Sequence, residues 1–313
     1  MRVWIIFHRD LDPAKPEVPE ILRFQDEARR MRIDLDVLKP QDFELIVGTR
    51  RGWDVHHRAR DLPRPDFIMA RTGAESRYFT LAVLRHFERQ RHVTLVNGAQ
   101  AIESVADKLR TMQLLTAAGI PIPRTILAKF PVDVDLIERE LGFPVVIKTL
   151  RGTRGGGVVL AENRQQFGDL AGLLDVSEPG EDFIFQRFIA HSHGRDVRVL
   201  VVGGHVVAAM ERRATDGGFK SNVSLGGESF LFDPPPEMRA LALRTASVLG
   251  LDIAGVDILF DSDGYRVCEA NSAPGFMGFE KATGVNVPGF IFNWLRRRHG
   301  SVERRFNRLI GTR

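Results

Sequence analysis

Residues 254–275 read AGVDILFDSDGYRVCEANSAPG. Ala254 to Phe260 is apolar except for Asp257, and Tyr265 to Ala270 is a second strand-like run. Asp261 to Gly264 supplies a turn between them. A hairpin whose loop is Ser262, Asp263 and Gly264, with Gly264 left-handed, sets Asp257 across from Glu269. Side chains alternate along a strand, so Asn271 shares the face of Glu269. A slip of one residue would turn Asp257 away from both. This register gathers two carboxylates and a carboxamide, an oxygen donor set suited to Mg²⁺. A surface hairpin with solvated acids is the plain alternative. The apolar flanks argue against it, because a buried unpaired acid is costly. By the same alternation Cys268 faces away from the acids, into the core.

Upstream, Val145-Val146-Ile147-Lys148-Thr149 places a lysine inside an apolar strand. The run Arg151-Gly152-Thr153-Arg154-Gly155-Gly156-Gly157 follows, and then the strand Val158 to Leu160. A glycine-rich loop between strands lets backbone N–H groups approach phosphate oxygens, and Lys148 adds a point charge. The lysine precedes the glycines, so this is not a Walker loop. A flexible hairpin loop explains the glycines equally well until the carboxylate site downstream is counted. Together the two features favour nucleotide binding.

The first hundred residues alternate strand and helix. Strands are expected at Val3 to Phe7, Asp34 to Leu38, Asp66 to Ala70 and Val93 to Val96, with helices at Glu20 to Met31 and Arg77 to Gln90. That order predicts a small open parallel sheet covered by helices. No Gly-x-Gly-x-x-Gly follows the first strand, which argues against a dinucleotide site. Ala99 to Ala118 reads as a helix pair, and Ile120-Pro121-Ile122-Pro123 as an extended hinge. Strands then dominate until a helix at Pro236 to Gly250 and a last one at Phe290 to His299. The expected units are 1–98, an α/β domain; 99–185, a small lobe with the glycine loop; 186–298, a lobe with the metal site; and 299–313, a basic tail.

The 313 residues are 43% hydrophobic and 27% charged, ordinary for a soluble globular chain. No run approaches the ~18 apolar residues of a membrane span. The opening MRVWIIFHRD lacks signal-peptide anatomy and there is one cysteine, which together predict a cytoplasmic protein. The net charge of +4 is uneven: residues 296–313 hold seven arginines against one glutamate, and 50–64 hold five against two aspartates. Such patches attract acidic partners.

The motif order is specific. Asp107-Lys108, Val146-Ile147-Lys148, the 152–157 loop, Asp196-Val197-Arg198, Phe219-Lys220-Ser221-Asn222, Ala254-Gly255-Val256-Asp257 and Glu269-Ala270-Asn271 follow one another. From Asp107 to Trp294 the chain resembles the ATP-grasp superfamily, and within it the RimK-like glutamate ligases. DKLRTMQLL, VVGGHVVAAMERRA and FKSNVSLGG carry the closer likeness. The first 97 residues fit that group's N-terminal domain only loosely.

The resemblance implies an α/β (α+β) fold, with an N-terminal open parallel domain and two lobes clamping ATP. It implies that a carboxylate takes the γ-phosphate and that an amine then displaces phosphate to form an amide. It implies ATP and Mg²⁺, with Mn²⁺ an acceptable substitute, and metal ligands Asp257, Glu269 and Asn271. Lys108, Lys148, Gly152, Thr153, Gly155, Gly156 and Gly157 would meet phosphates. Gln186, Arg187, Phe188, Asp196, Arg198, Lys220, Ser221 and Asn222 would complete the nucleotide site, with Asp196 on the ribose. Arg212 or Arg213 would steady the acyl phosphate beside Lys148, unless Glu211 or Asp216 claims one of them. L-glutamate is the expected amine, with another amino acid as the alternative, and Arg212, Arg213, Arg71 and Arg77 are the candidate cations for a glutamate side chain. The acceptor is a carboxylate on a protein C-terminus or small molecule, which an acidic character would help dock. RNA binding through the basic patches is the less favoured reading, and a homo-oligomer is expected. Two departures stand out. Gln186-Arg187-Phe188 has Arg where the group usually has Glu, and Ser272-Ala273 sets the serine one place early.

Overall fold

The computed structural model describes residues 1–15, 17–48, 55–73, 78–90, 92–150, 157–178, 180–215, 217–221 and 226–309, with side chains to 300. Strand β1 (Arg2–Ile6) lies centrally in a parallel sheet of order β2 (Asp34–Leu38), β1, β5 (Phe67–Ala70), β6 (Thr94–Val96). It is apolar throughout because both faces are covered. Val3 and Ile5 pack toward Phe24 of α1 (Val18–Arg30) and Phe292 of α9 (Val287–Leu309). Trp4 and Ile6 pack toward Leu84 and Phe87 of α2 (Tyr78–Glu88) and Ile102 of α3 (Ala99–Ala106). The basic segment after residue 50 contributes β4 (Val55–His57), which forms a two-stranded ribbon with β3 (Phe43–Leu45).

Two antiparallel sheets follow. One is ordered β7 (Thr125–Leu127), β10 (Phe183–Arg187), β8 (Val145–Thr149), β9 (Val158–Ala161). Helices α5 (Val134–Leu141) and α6 (Arg164–Ser177) close its back through Ile137, Phe167 and Phe185. The other is ordered β13 (Glu228–Phe232), β12 (His205–Arg213), β11 (Arg195–Val202), β14 (Ile253–Asp261), β15 (Gly264–Asn271). One face packs on α4 (Lys108–Ala117) and α7 (Pro236–Val248) through Met112, Leu115 and Met238. The other meets the N-terminal domain, where Leu200, Met210 and Ile253 join the cluster of Phe24 and Phe292. Helix α8 (Met277–Thr283) contributes Phe279 to that cluster.

Three differences from the sequence reading have physical causes. The boundary at 185/186 falls inside β10, because all of Phe183–Arg187 pairs with β8. The final helix begins at Val287 and runs to Leu309, through most of the segment read as a tail. Its first half packs back on the N-terminal domain, Ile291, Phe292 and Leu295 being almost fully buried.

The third difference lies in the hairpin. Asp261 pairs with Gly264, so the loop is the two residues Ser262 and Asp263, one fewer than expected. The register slips between Asp257 and Ile258, leaving Cys268 unpaired as a β-bulge. A shorter loop and one bulge offset each other, so Asp257 still faces Glu269 and Gly255 faces Asn271. Cys268 does not. The bulge swings it out of the core, and it is half-buried on the same cleft wall as Glu269. No helix among the described residues is long and apolar enough to cross a membrane.

Candidate active site

A cleft of about 940 Å³, counted out to its open mouth, lies between the two antiparallel sheets. Val146, Lys148 and Val158 form one wall, Arg212, Asp257, Cys268 and Glu269 the other, and Gln186 to Ile189 the hinge between them. Lys108 enters as the first residue of α4, whose N-cap Asp107 accepts from Arg110 N at 2.9 Å. Phe219, Lys220 and Ser221 line the rim. Of the expected site residues, Gly152, Thr153, Gly155, Gly156 and Asn222 lie outside the described residues, as do Arg77 and Asp216.

Gly157 closes the glycine-rich segment onto β8. Thr149 N donates to its carbonyl at 3.0 Å. Its φ is +69°, and a Cβ there would lie 2.6 Å from Thr149 Oγ1, so only glycine fits. Lys148 stands one residue before that contact, its Nζ 3.6 Å from Cys268 Sγ. Burial pushes the Lys108 ammonium down, while Glu269 pulls it back up. The cleft therefore holds two cations facing an acidic wall.

At the hinge, Gln186 is buried and its Nε2 donates to Thr125 Oγ1 at 2.9 Å, tying β10 to β7. Arg187 is exposed and lines the cleft, so the departure from Glu puts a positive charge at the hinge end of the cleft. Its backbone N–H is engaged by Arg124 O at 3.0 Å.

The acidic wall is built on a buried ion network. Arg198 grips Asp257 with two bonds, Nε to Oδ1 at 2.6 Å and Nη2 to Oδ2 at 2.7 Å. Arg212 adds a bond to Asp257 Oδ2 at 2.8 Å and holds both oxygens of Asp196, one at 2.8 Å. Two guanidiniums thus neutralise two carboxylates inside the sheet, which is what makes their burial tolerable. The arginines hold the Asp257 carboxyl far below the usual range against the effect of burial.

This geometry alters three of the expected roles. Asp196 lies beneath Arg212, each oxygen accepting one of its bonds, and does not line the cleft where the expected ribose contact would be made. Arg198 faces Asp257 rather than the phosphate region. Arg213 is 56% exposed, bonds Glu211 at 2.9 and 3.1 Å and stays outside the cleft, whereas Arg212 lines it. The strand alternates, so adjacent arginines point to opposite faces.

The donor set fits a hard divalent ion. Asp257 offers about four acceptor positions, and three are taken by arginine donors, leaving one on Oδ1. Glu269 Oε1 accepts from Asn271 Nδ2 at 3.1 Å, which leaves Asn271 Oδ1 as the acceptor of that carboxamide. One oxygen each from Asp257, Glu269 and Asn271, with remaining positions for water and phosphate, would suit Mg²⁺. A second cavity of about 600 Å³, lined by Gly73, Thr111, Asn271 and Ser272, shares Lys108 and Glu269 with the first. Cleft and cavity meet at the charged groups.

Sequence reasoning missed Cys268, Ser192, Arg195 and Leu259 as cleft residues. Only a bulge brings Cys268 there. Arg195 stacks on Phe260 at 4.0 Å across two strands, a pairing no local pattern announces.

Comparison with known proteins bears on the family and the fold. Residues 105–295 match the RimK-like ATP-grasp domain and residues 13–102 the RimK PreATP-grasp domain. A probable alpha-L-glutamate ligase of Citrobacter koseri is 41% identical over 283 residues, 90% of this chain and 92% of that protein. The ribosomal protein bS6–L-glutamate ligase of Escherichia coli is 41% identical over 271 residues, 86% and 88% of the two chains. Among solved structures, the ATP-grasp ligase PsnB superposes with a TM-score of 0.72 at 20% identity, covering 95% of this chain and 97% of that one. The D-alanine–D-alanine ligase of Bacillus anthracis gives 0.67 at 15%, covering 97% and 99%.

Proposed function

The chain belongs to the RimK-like ATP-grasp ligases, and on that premise we propose that it joins the amino group of L-glutamate to a carboxylate at a protein C-terminus, consuming ATP. The observation that carries the reading is the meeting of Lys108, Lys148, Asp257 and Glu269 in one cleft, with a second cavity, lined by Asn271, that shares Lys108 and Glu269 with it. Relatives named as glutamate ligases, one of them for ribosomal protein bS6, support the choice of amine and acceptor.

In this mechanism the acceptor carboxylate oxygen attacks the γ-phosphorus and ADP leaves. The glutamate ammonium gives up one proton to solvent, the free amine attacks the acyl carbon, phosphate departs with its C–O electron pair, and the new amide nitrogen releases its second proton to the departing phosphate or solvent. Such a transfer needs alignment and charge neutralisation more than covalent help. Lys148 and Lys108 hold phosphate oxygens. Bound Mg²⁺ would supply further neutralisation of the β- and γ-phosphates. Arg212 reaches the cleft from the buried network and faces the developing oxyanion. Its orientation is fixed in advance by Asp196 and Asp257, so no reorganisation is required at the moment of reaction.

RNA binding draws less support. Arg58 of the 50–64 run is held by Asp42 at 2.7 Å, and Arg298 by Asp252 at 2.9 Å, which spends part of the charge that phosphates would need.

The test is ADP release from Mg·ATP with each of the twenty amino acids, with and without a peptide acceptor, and mass spectrometry of the products. A product ladder spaced by glutamyl units is expected. Turnover with another amino acid and none with glutamate would replace the amine in this reading.

A further inference from the structure

The segment Ser272–Phe276, which follows the last proposed metal ligand, is held from outside its own sheet. Asn97 Nδ2 donates to Ser272 O at 2.9 Å. Arg71 Nη2 donates to Pro274 O at 2.9 Å, and Glu20 Oε1 accepts from Phe276 N at 2.7 Å. Glu20 and Arg71 are themselves joined at 2.7 Å, and the Arg71 guanidinium lies against the packed pair of Phe24 and Phe276 rings, 5.7 and 5.6 Å from their centroids. All three side chains belong to the N-terminal domain: Glu20 on α1, Arg71 just past β5 and Asn97 just past β6.

Asn97 does more than hold one carbonyl. Its carboxamide also takes Ile253 N at 2.9 Å and gives to Ile253 O at 2.8 Å, imitating a strand partner at the start of β14. The β14–β15 ladder ends at Gly255 and Asn271. One residue beyond Asn271, Asn97 bridges the two chain segments in place of the next rung. Pro274 folds back so closely that a Cβ on Gly255 would lie 2.7 Å from its own Cβ. Asn97 is 2% exposed, so each of its polar atoms must keep a partner.

We infer that Asn97, Arg71 and Glu20 are positioning residues for Asn271 and Glu269, so that the N-terminal domain completes the metal site without touching the metal. The inference rests on the metal reading of those two residues. Mg²⁺ tolerates little departure from octahedral geometry, and a ligand at the last rung of a ladder has no further rung beyond it, so its downstream anchor helps to hold it. Loss of a supporting partner of this kind weakens metal affinity by about 10- to 100-fold.

The experiment follows Mn²⁺ binding by the loss of its free-ion electron paramagnetic resonance signal, on the full chain with a non-hydrolysable ATP analogue. It does not depend on turnover or on the acceptor. Arg71→Met and Asn97→Ala are expected to raise the Mn²⁺ dissociation constant by about tenfold or more. Metal-free ADP affinity should stay near the wild-type value. Arg71→Lys, whose single ammonium reaches both Glu20 and Pro274 O, should recover most of the loss. Should either truncating variant fold poorly, Glu20→Gln, which keeps an acceptor for Phe276 N, reports the same effect in milder form. Variants that melt earlier yet bind Mn²⁺ like the wild type would overturn the inference. Glu269→Gln separates the two levels. If it loses Mn²⁺ while the Arg71 and Asn97 variants keep it, the metal reading stands and the positioning role falls. If it keeps Mn²⁺, both fall.

Discussion

The thiol of Cys268 lies 3.6 Å from the Lys148 ammonium across the cleft, although strand alternation from Glu269 would bury it on the other side. The bulge at Cys268 is the cause. Burial pushes this thiol up, so its thiolate fraction at neutral pH is below that of a free cysteine. With one cysteine in the chain, alkylation reports this wall alone. Iodoacetamide should label slowly at pH 7 and faster as pH rises, and Mg·ATP should protect by about tenfold or more, the slowing that saturation of an occluding site produces. Equal rates with and without nucleotide would remove Cys268 from the nucleotide wall.

Lys148→Ala and Glu269→Ala are expected to abolish ADP release while leaving the melting temperature within a few degrees of wild type. Neither side chain is part of a hydrophobic cluster, and each aims a charge into the cleft. Wild-type turnover in either variant would refute its assignment.

Arg212 and Arg213 are adjacent in sequence and opposite in consequence. Arg212→Ala strips Asp196 and Asp257 of a shared partner inside the sheet, which costs about 3–5 kcal/mol. Arg213→Ala removes a mostly exposed guanidinium, and its partner Glu211 keeps Arg195 at 3.2 Å, so the loss of stability should be much smaller. Urea denaturation should separate the two, and ADP release should fall by orders of magnitude only in the first. Comparable losses in both would contradict the division of roles.

The sequence made the chemistry of the site legible but not its supports. Asp257 opposite Glu269 follows from hairpin patterning, yet the register was reached through a three-residue loop that the chain replaces with two residues and a bulge. The two routes are indistinguishable to alternation at Asp257 and differ only at Cys268. The choice between Arg212 and Arg213 needed the face of β12, which is set by pairing with β11 and not by composition. Arg71, a candidate for the glutamate side chain, instead holds Glu20 and Pro274 O. The supporting role of Asn97, Arg71 and Glu20 is invisible for a stronger reason. Their partners are backbone groups more than 150 residues away, and backbone groups leave no mark in a sequence.

Acid should weaken the fold in part through Glu27. It is buried on α1, and its bonds from Arg30, aided by Arg23, hold its carboxyl down at about 2 from an ordinary 4.5. A depressed carboxylate contributes stability that is full above its unfolded value and is lost as pH falls through the folded one. The window is therefore about pH 4.5 down to 2. Arg30 is mostly exposed, so screening reduces the gain to roughly 1–2 kcal/mol. Glu27→Gln should melt earlier at pH 7, and its deficit should shrink across that window. A deficit that stays constant from pH 7 to 2 would assign the effect to packing.

The basic C-terminal segment can be tested for docking only if it is cut in the right place. Removal after Trp294 deletes Leu295, which is fully buried in the N-terminal core, and the Arg298–Asp252 pair at 2.9 Å. Loss of one such core leucine alone costs about 2–5 kcal/mol, so a chain of that length should unfold early and say nothing about substrates. Removal after Gly300 keeps those contacts and discards four of the seven arginines in 296–313. That shorter chain should melt near wild type. If residues 301–313 dock an acidic protein acceptor, its KM for that acceptor should rise several-fold as salt-screened attraction is lost, with kcat unchanged. The KM for ATP should not move. An unchanged KM for the protein acceptor would show that the helix end is solvated charge and that acceptor recognition lies at the cleft itself.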